Sequence, residues 1–190
     1  IIAHIANTDC VIHVVRAFED ENVPHAEGGV DVERDLAATE MELAFFDLGL
    51  IDKRIRRINE GNKAVKPAER EAGIKEIAIL EEIKTGLEKS VPIREQNLDE
   101  DVIKATRHYQ FLTSKPLLVL INISEGQIEQ VSDIENNLRK SFDHVGSEVI
   151  ALCGKLEMEL SEMKVGDAQE MRDAMGLSES TVNSVISMSY

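Results

Sequence analysis

The chain has 190 residues, of which 43% are hydrophobic, a length and composition suited to one or two ordinary globular domains. It carries 36 acidic and 21 basic residues, and the net charge of −15 disfavours general attraction to phosphates, so we expect no direct sequence-specific nucleic-acid partner. The apolar runs are too short to cross a membrane, which predicts a cytoplasmic protein with no membrane partner.

The first element in chain order is an aliphatic run at Cys10–Val15, which predicts a β-strand. Residues Glu19–Val30 contain a proline and two glycines and are therefore predicted to form a loop. His13 lies within the strand, a position typical of a buried structural histidine. His25 lies in the loop, where an imidazole could meet a ligand.

A long helical pattern occupies Asp31–Glu60, where leucines recur every seven residues and no proline interrupts. Asp31 is placed to cap its first turn. After a break at Gly61–Pro67, a second amphipathic pattern runs to about Ser90, and two long helices joined briefly predict an antiparallel, coiled-coil-like hairpin. A third helix is predicted over Asp99–Leu112. Acids interleave with the basic residues of the hairpin, which favours a solvated face over a nucleic-acid surface.

Five consecutive branched aliphatics at Leu117–Ile121 predict a parallel strand that is buried on both faces. A helix is predicted over Ser132–Ser141 and another strand over Glu148–Leu152. Since a strand, a helix and a parallel strand form a right-handed crossover, the two strands are expected to be neighbours. Further helices are predicted at Glu157–Met163, Asp167–Met175 and Ser178–Ser189. The residues therefore predict an α/β protein that is mostly helical.

Asn122 follows the first of these two strands and is a candidate ligand contact, with only a loop expected beyond it. In open α/β sheets, ligands bind in the crevice beyond the carboxyl ends of the strands. An asparagine amide carries a donor and an acceptor, so it can contact a purine edge at two positions. The alternative is that Asn122 only turns the chain after the strand, a common role of asparagine.

Six stretches of the chain resemble, in the same order, the YchF or Obg-like ATPase family of translation-factor-related P-loop proteins. They are His13–Glu21, His25–Asp31, Arg34–Asp35, Leu112–Pro116, Asn122–Glu125 and Cys153–Glu157. The resemblance implies a partial P-loop-type parallel sheet with an inserted helical hairpin. By it, residues 1–30 and 113–190 would form part of a nucleotide-binding α/β domain, the base-recognition half, and residues 31–112 the inserted hairpin domain.

The resemblance also implies an adenine site. Ordinary G-protein relatives carry Asn-Lys-x-Asp at the base-reading loop, whereas this family has Asn-x-x-Glu, a change that goes with adenine instead of guanine. The residues implied to form the site are Asn122, Ile123, Glu125, Cys153, Gly154 and Lys155. Asn122 would contact the adenine edge, Ile123 would approach it through its backbone, and the last three would wall the pocket. The implied ligand is ATP.

The phosphate-binding motif Gly-x-x-x-x-Gly-Lys-[Ser/Thr] is absent from the 190 residues. In the family this motif lies upstream and a TGS domain lies downstream, so the resemblance implies an internal piece of a longer, ribosome-associated ATPase. The ligands of Mg²⁺ would lie outside this chain, which by itself would be inactive. No catalytic residue and no metal ligand is predicted within it.

Two other functions remain open from the residues. The hairpin could be a protein-interaction module that works without nucleotide. Alternatively, an unrelated α/β enzyme could use His25 or Cys153. Against this, Cys10 and Cys153 both lie in aliphatic runs, which predicts buried structural thiols.

Overall fold

The structure is a computed structural model that describes residues 5–24, 28–61, 66–142, 145–175, 177, 183 and 185–187. Within these residues the chain is mostly helical and carries a three-stranded sheet in the order β1, β2, β3. The strands are β1 (Val11–Arg16), β2 (Leu117–Asn122) and β3 (Ser147–Leu152). The α-helices are α1 (Val32–Gly61), α2 (Pro67–Glu88), α3 (Glu100–Thr106), α4 (Val131–Ser141), α5 (Gly154–Glu162) and α6 (Val165–Ala174). None of these helices has both the length and the hydropathy needed to span a membrane.

Strands β2 and β3 are parallel neighbours, as the sequence predicts. Their register runs from Leu117 opposite Ser147 to Asn122 opposite Leu152. Val119, in the middle of β2, is fully buried. Its neighbours along the strand, which point to the opposite face, are buried or half-buried, so both faces of β2 are covered. Burial on both faces explains why this strand reads as a continuous aliphatic run.

Strand β1 lies on the other side of β2. The Val11 amide donates to the Pro116 carbonyl (3.0 Å), and the Ala17 amide donates to the Asn122 carbonyl (2.8 Å). From the first of these bonds to the second, the donor and the acceptor both move forward in sequence by the same number of residues. Such a pattern means that β1 and β2 run parallel. The strand predicted at Cys10–Val15 is therefore confirmed, shifted by one residue at each end.

The exposed edge of β3 is covered by side chains of α4. The Ala151 amide donates to Glu135 Oε1 (2.8 Å), and Arg139 donates to the Val149 carbonyl (2.7 Å). Glu135 and Arg139 also pair with each other at 3.1 Å, one helical turn apart. Two backbone groups on this edge, the Ala151 amide and the Val149 carbonyl, are thus satisfied without another strand.

The third predicted helix, Asp99–Leu112, is shorter than the sequence suggests. α3 ends at Thr106 and is followed by a 3-10 turn at Arg107–Tyr109. Gln110 then adopts a left-handed backbone conformation with φ of 53°. A right-handed helix cannot continue through such a residue, so the chain turns there.

Two boundaries near the sheet also differ from the predictions. α5 begins at Gly154 instead of Glu157, because the Cys153 carbonyl accepts the first helical hydrogen bond from the Glu157 amide (3.0 Å). Beyond β2, the expected loop contains a 3-10 helix at Glu125–Gln130. The helix predicted at Ser178–Ser189 lies mostly outside the described residues.

Helix α1 agrees with its predicted bounds, and Asp31 caps it: Asp31 Oδ1 accepts a hydrogen bond from the Arg34 amide at 3.0 Å. Its buried positions differ from the predicted leucine stripe. They are Leu36, Leu43, Asp47, Ile51 and Ile58, whereas Leu50 is only half-buried. A seven-residue spacing drifts around a straight helix by about 20° per heptad, so strict heptad positions do not stay on one face.

The chain forms two compact units. One comprises Ile1–Val11 and Ala37–Pro116, and the other comprises Ile12–Leu36 and Leu117–Tyr190. The division of the chain into a nucleotide-binding domain and an inserted hairpin, at residues 30 and 112, stays a prediction.

In the first unit, α1 and α2 share a hydrophobic core that includes Ile51, Ile58, Leu80, Ile83 and Leu87. Two ion pairs also join the helices. Arg54 binds both carboxylate oxygens of Glu76 (2.6 and 3.0 Å), and Lys84 binds Asp52 (2.7 Å). Coiled-coil geometry for this hairpin stays a prediction.

Asp47 is a fully buried carboxylate in the middle of α1. It accepts hydrogen bonds from the Leu112 amide (2.9 Å), the Thr113 amide (2.8 Å) and the Thr113 hydroxyl (2.7 Å). Burial raises the pKa of the Asp47 carboxyl, and these donors oppose that shift. Asp47 therefore holds the segment that leads from the hairpin into β2.

Replacing Asp47 by Ala should lower the free energy of unfolding by about 2–4 kcal/mol, because two buried amides lose their acceptor. Thr113→Val keeps the carboxylate but removes the hydroxyl that donates to Asp47 and accepts a long bond from the Ile93 amide (3.4 Å), so it should cost less, about 1–2 kcal/mol. Urea unfolding followed by circular dichroism measures both. The control is Asp52→Ala, since Asp52 is half-exposed and pairs with a lysine on the surface. A loss for Asp47→Ala no larger than that of the control would contradict the assignment.

Tyr109 lies in a second polar cluster of the same unit. Its hydroxyl donates to Glu76, and Arg54 Nε donates to the Tyr109 hydroxyl at 3.2 Å. Burial, followed by the hydrogen bond to Glu76, raises the pKa of the Tyr109 phenol to about 12 from its ordinary 10.0. Because the folded-state pKa is the higher one, the stability from this shift is fully present below pH 10.0 and is lost as the pH rises through about 12.

Ultraviolet titration should therefore show a tyrosine that ionises near pH 12. The chain has two tyrosines and no tryptophan, so a Tyr109→Phe variant identifies the signal. Glu76→Gln removes the carboxylate acceptor while keeping the side-chain size, and the Tyr109 midpoint should fall. Glu69→Gln, an exposed acid on the same helix, is the control. Equal midpoints in the wild type and Glu76→Gln would show that Glu76 does not hold the phenol proton.

Candidate functional site

The candidate site lies where β2 and β3 end side by side. Asn122 is the last residue of β2, and the next amide, that of Ile123, donates to the carbonyl of Leu152 at 2.9 Å. Cys153 follows directly after β3 and precedes α5. The parallel register therefore brings the two predicted segments, which are about thirty residues apart in sequence, to one edge of the sheet.

The Asn122 side chain joins the two segments through a hydrogen bond. Asn122 Oδ1 accepts from the Gly154 amide at 3.0 Å. The amide belongs to the first residue of α5, which has no earlier carbonyl to bind within the helix, so the asparagine supplies an acceptor that the helix lacks. A Cβ on Gly154 would lie 3.1 Å from Asn122 Oδ1, so the contact leaves little room for a side chain at position 154.

Asn122 keeps one polar atom available. Among the residues that the structure describes, its Nδ2 group has no hydrogen-bond acceptor, and the side chain is half-buried. An amide nitrogen carries two donor hydrogens. The site can therefore donate a hydrogen bond from Asn122 to a ligand without breaking the bond to Gly154.

Ile123 and Cys153, which are next in sequence to Asn122 and Gly154, are both buried. Ile123 is 1% exposed and Cys153 is 6% exposed. The burial agrees with a structural role for the Cys153 thiol, the alternative that the sequence favours over an activated thiolate.

Glu125 and Lys155 form the outer part of the site. Lys155 Nζ lies 2.8 Å from Glu125 Oε1, and both side chains are more than half exposed. The hydrogen bond to Glu125 raises the pKa of the Lys155 amine above its usual value. Exposed pairs of this kind add little to stability, but the pairing leaves Glu125 with less capacity to accept bonds from a ligand.

Gln127 is a positioning residue that the sequence analysis missed. Its Oε1 accepts from the Ser124 amide (2.9 Å) and the Ser124 hydroxyl (2.8 Å), and its Nε2 donates to the Ala17 carbonyl (3.1 Å). It thereby ties the segment after β2 to the end of β1. The spacing Ser-x-x-Gln is a helix-capping pattern, so a search for capping boxes would have found it.

Helix α5 is fixed from the other side by α6. Arg172 donates to both carboxylate oxygens of Glu157, at 3.0 and 2.7 Å, and both side chains are about 10% exposed. A bidentate pair in this geometry is directional, so it holds the first turns of α5 in a set orientation.

The six predicted site residues are thus brought to one edge of the sheet by the Asn122–Gly154 and Glu125–Lys155 contacts and by the hydrogen bond from the Ile123 amide to the Leu152 carbonyl. Their role in binding a base stays a prediction. His25, the other loop candidate, lies outside the described residues. His13 is partly buried in β1, and desolvation lowers its pKa, in keeping with a structural histidine. Within the described residues, no group of three metal-binding side chains comes together.

Comparisons with known proteins point in one direction. The chain is 33% identical over 191 residues to the ribosome-binding ATPase YchF of Bacillus subtilis and 28% identical over 199 residues to Obg-like ATPase 1 of Caenorhabditis elegans. The alignments cover 100% of this chain but only 51% and 48% of the relatives. The structure of the Schizosaccharomyces pombe YchF GTPase matches with a TM-score of 0.83 at 26% identity, over 100% of this chain and 51% of that one.

The chain belongs to the YchF and Obg-like ATPase family. The resemblance stated from the motifs is confirmed, although no protein-family model matches the chain. The chain spans about half the length of the YchF relatives it matches. The names of those relatives differ on the nucleotide: the bacterial proteins are called ATPases and the S. pombe protein a GTPase.

A Gly154→Ala substitution tests the contact between the two segments. Because the new methyl would lie 3.1 Å from Asn122 Oδ1, the asparagine must shift, and we expect the free energy of unfolding to fall by about 1 kcal/mol. Gly126→Ala is the matched control, since a Cβ there meets nothing within 4 Å. Thermal unfolding compares the two. A Gly154→Ala protein as stable as the control would mean that the contact tolerates extra volume.

Proposed function

We propose that this chain is the base-recognition part and helical insert of a ribosome-associated P-loop NTPase that binds and hydrolyses ATP in the cytoplasm. The observation that carries the proposal is the half-engaged amide of Asn122, with Oδ1 bound to Gly154 and Nδ2 available. The names of the YchF relatives support the ATPase and ribosome parts of the proposal.

The amide geometry favours a purine. Adenine and guanine both present N7 as an acceptor, and a free amide donor can bind it. The bond to Gly154 fixes which end of the Asn122 amide faces away from α5, so the donor is oriented before any ligand arrives. Asn122 would then select purines over pyrimidines, and another residue must separate adenine from guanine.

Glu125 supplies a reason for adenine preference. Guanine has an N1–H and an N2 amine that need an acceptor, and the carboxylate in this region is paired with Lys155. Guanine would therefore leave donors without a partner, whereas adenine lacks this donor pair. An unpaired buried donor costs about 1–3 kcal/mol, so ATP should bind roughly tenfold more tightly than GTP.

The phosphates and Mg²⁺ need other residues. The 190 residues contain no Gly-x-x-x-x-Gly-Lys-[Ser/Thr] loop, whose amides and lysine hold the phosphates. We therefore propose that phosphoryl transfer, with Mg²⁺ held through the phosphates, requires a phosphate-binding loop in addition to these residues, and that the 190 residues alone do not hydrolyse ATP.

Calorimetric titration of the natural protein that carries this chain, with ATP and GTP at fixed Mg²⁺, tests the assignment. Asn122→Ala should weaken ATP binding by about tenfold, the effect of one hydrogen bond in a partly buried site. Asn136→Ala, an exposed asparagine on α4, should have no effect. Glu125→Asp should not create a preference for GTP. Tighter binding of GTP in the wild type would remove the adenine assignment, and unchanged binding in Asn122→Ala would remove this loop from the site.

The second candidate function, a helical interaction module, has one observation in its favour. Met41 and Phe45, one turn apart on α1, are 56% and 64% exposed. Large apolar side chains exposed on one helix face often mark a protein contact. Co-sedimentation with ribosomes separates the two functions: a Met41→Ser/Phe45→Ser variant that loses ribosome binding while keeping ATP affinity would assign this face to the partner.

A further inference from the structure

The first of the two units, which contains α1 and α2 and is called the hairpin unit below, has a cleft that differs in charge from the rest of the chain. It has a volume of about 490 Å³ and is lined by Leu50, Lys53, Arg54, Arg57, His108 and Tyr109. Although acids outnumber bases by 36 to 21 in the chain, none of these six residues is acidic. The cleft lies in a different unit from Asn122.

Two of the cations are not neutralised. Arg54 is paired with Glu76, but neither Lys53 nor Arg57 has an acidic partner among the residues that the structure describes. Lys53 and Arg57 are four residues apart on α1 and therefore lie on the same face, where like charges repel. An anion bound between them would relieve that repulsion.

An aromatic column stands beside the cations. Phe111 is buried, and Tyr109 stacks on it with ring centroids 5.2 Å apart. The His108 ring lies next to Tyr109, with centroids 4.1 Å apart and the ring planes tilted by 38°. The outermost ring, that of His108, is exposed. Gln110, which separates Tyr109 from Phe111 in the sequence, has a left-handed backbone conformation, so the chain turns between these two rings. A planar heterocycle could extend the column by stacking on His108.

We infer that this cleft binds a nucleoside polyphosphate, with its base stacked on His108 and its phosphates between Lys53 and Arg57. The volume falls within the range of small-ligand sites. A mononucleotide fits the charge better than a nucleic-acid strand. In the cleft, two cations lack an acidic partner among the described residues, and a long polyanion would be repelled by a chain of net charge −15. The site is separate from the purine contact proposed at Asn122 and does not depend on it.

Uridine triphosphate is the probe that distinguishes the two sites, because a pyrimidine has no N7 and cannot make the contact proposed for Asn122. Binding to the full chain is followed by the imidazole NMR signals of His108, assigned with a His108→Gln variant among the five histidines. Uridine triphosphate should shift the His108 signals, and tripolyphosphate, which lacks the base, should bind about tenfold more weakly. Asn122→Ala should leave both results unchanged.

The decisive variant is the double change Lys53→Ala and Arg57→Ala, which should weaken uridine triphosphate binding by about tenfold or more. Its control is Arg56→Ala, because Arg56 is exposed on the same helix and does not line the cleft. An equal loss of uridine triphosphate affinity in Arg56→Ala would mean that the nucleotide is attracted by basic residues in general, and it would contradict a site in the cleft. The inference is wrong if the His108 signals do not move, or if tripolyphosphate binds as tightly as the nucleotide. It is also wrong if a single-stranded RNA binds about a hundredfold more tightly with the same dependence on Lys53 and Arg57, which would assign the surface to RNA.

Discussion

The candidate base site depends on the hydrogen bond from the Gly154 amide to Asn122 Oδ1. It is made by the side chain that ends one strand and the backbone that begins the helix after the next strand. Its geometry is possible only because β2 and β3 are parallel and in register up to Asn122 and Leu152. A shift of one residue would turn the Asn122 side chain to the other face of the sheet. The strand register, which the buried residues of the sheet fix, thus determines which polar groups meet at the ends of β2 and β3.

The hairpin unit is organised by buried polar groups as well as by its aliphatic core. Asp47 takes three hydrogen bonds at the point where the chain leaves the hairpin, and Arg54 joins α1 to Glu76 of α2. Such groups are costly when unpaired, so they favour one arrangement of the helices over others that an aliphatic core would accept. The apolar residues of this unit supply most of its stability, and the polar ones select its geometry.

The sequence predicts the elements of this protein better than its contacts. The aliphatic run at Leu117–Ile121 and the capped pattern from Asp31 carry strong local signals, and both match the structure. The sequence predicts a helix as far as Leu112, because Gln110, where the chain turns after the 3-10 segment, carries no sign of a left-handed conformation, unlike a glycine.

For the candidate site, the sequence identified residues that do meet, yet their bonds were not predictable. Nothing in the order of residues states that Asn122 Oδ1 faces Gly154, or that Glu125 is occupied by Lys155. Those pairings follow from strand register and helix position, which are set by packing over distances that a local pattern does not describe. Asp47 was missed for a related reason: a lone carboxylate on a helix is usually solvated, and its partners lie more than sixty residues away.

The covering of the β3 edge by α4 has a consequence for behaviour at high protein concentration. A free strand edge is a template on which a strand from another molecule can pair, the first step towards domain swapping or amyloid. Here the Ala151 amide and the Val149 carbonyl are already bound by Glu135 and Arg139, which are charged and cannot be stripped away without cost. Two side chains of a single helix therefore oppose the pairing of another molecule along this edge of β3.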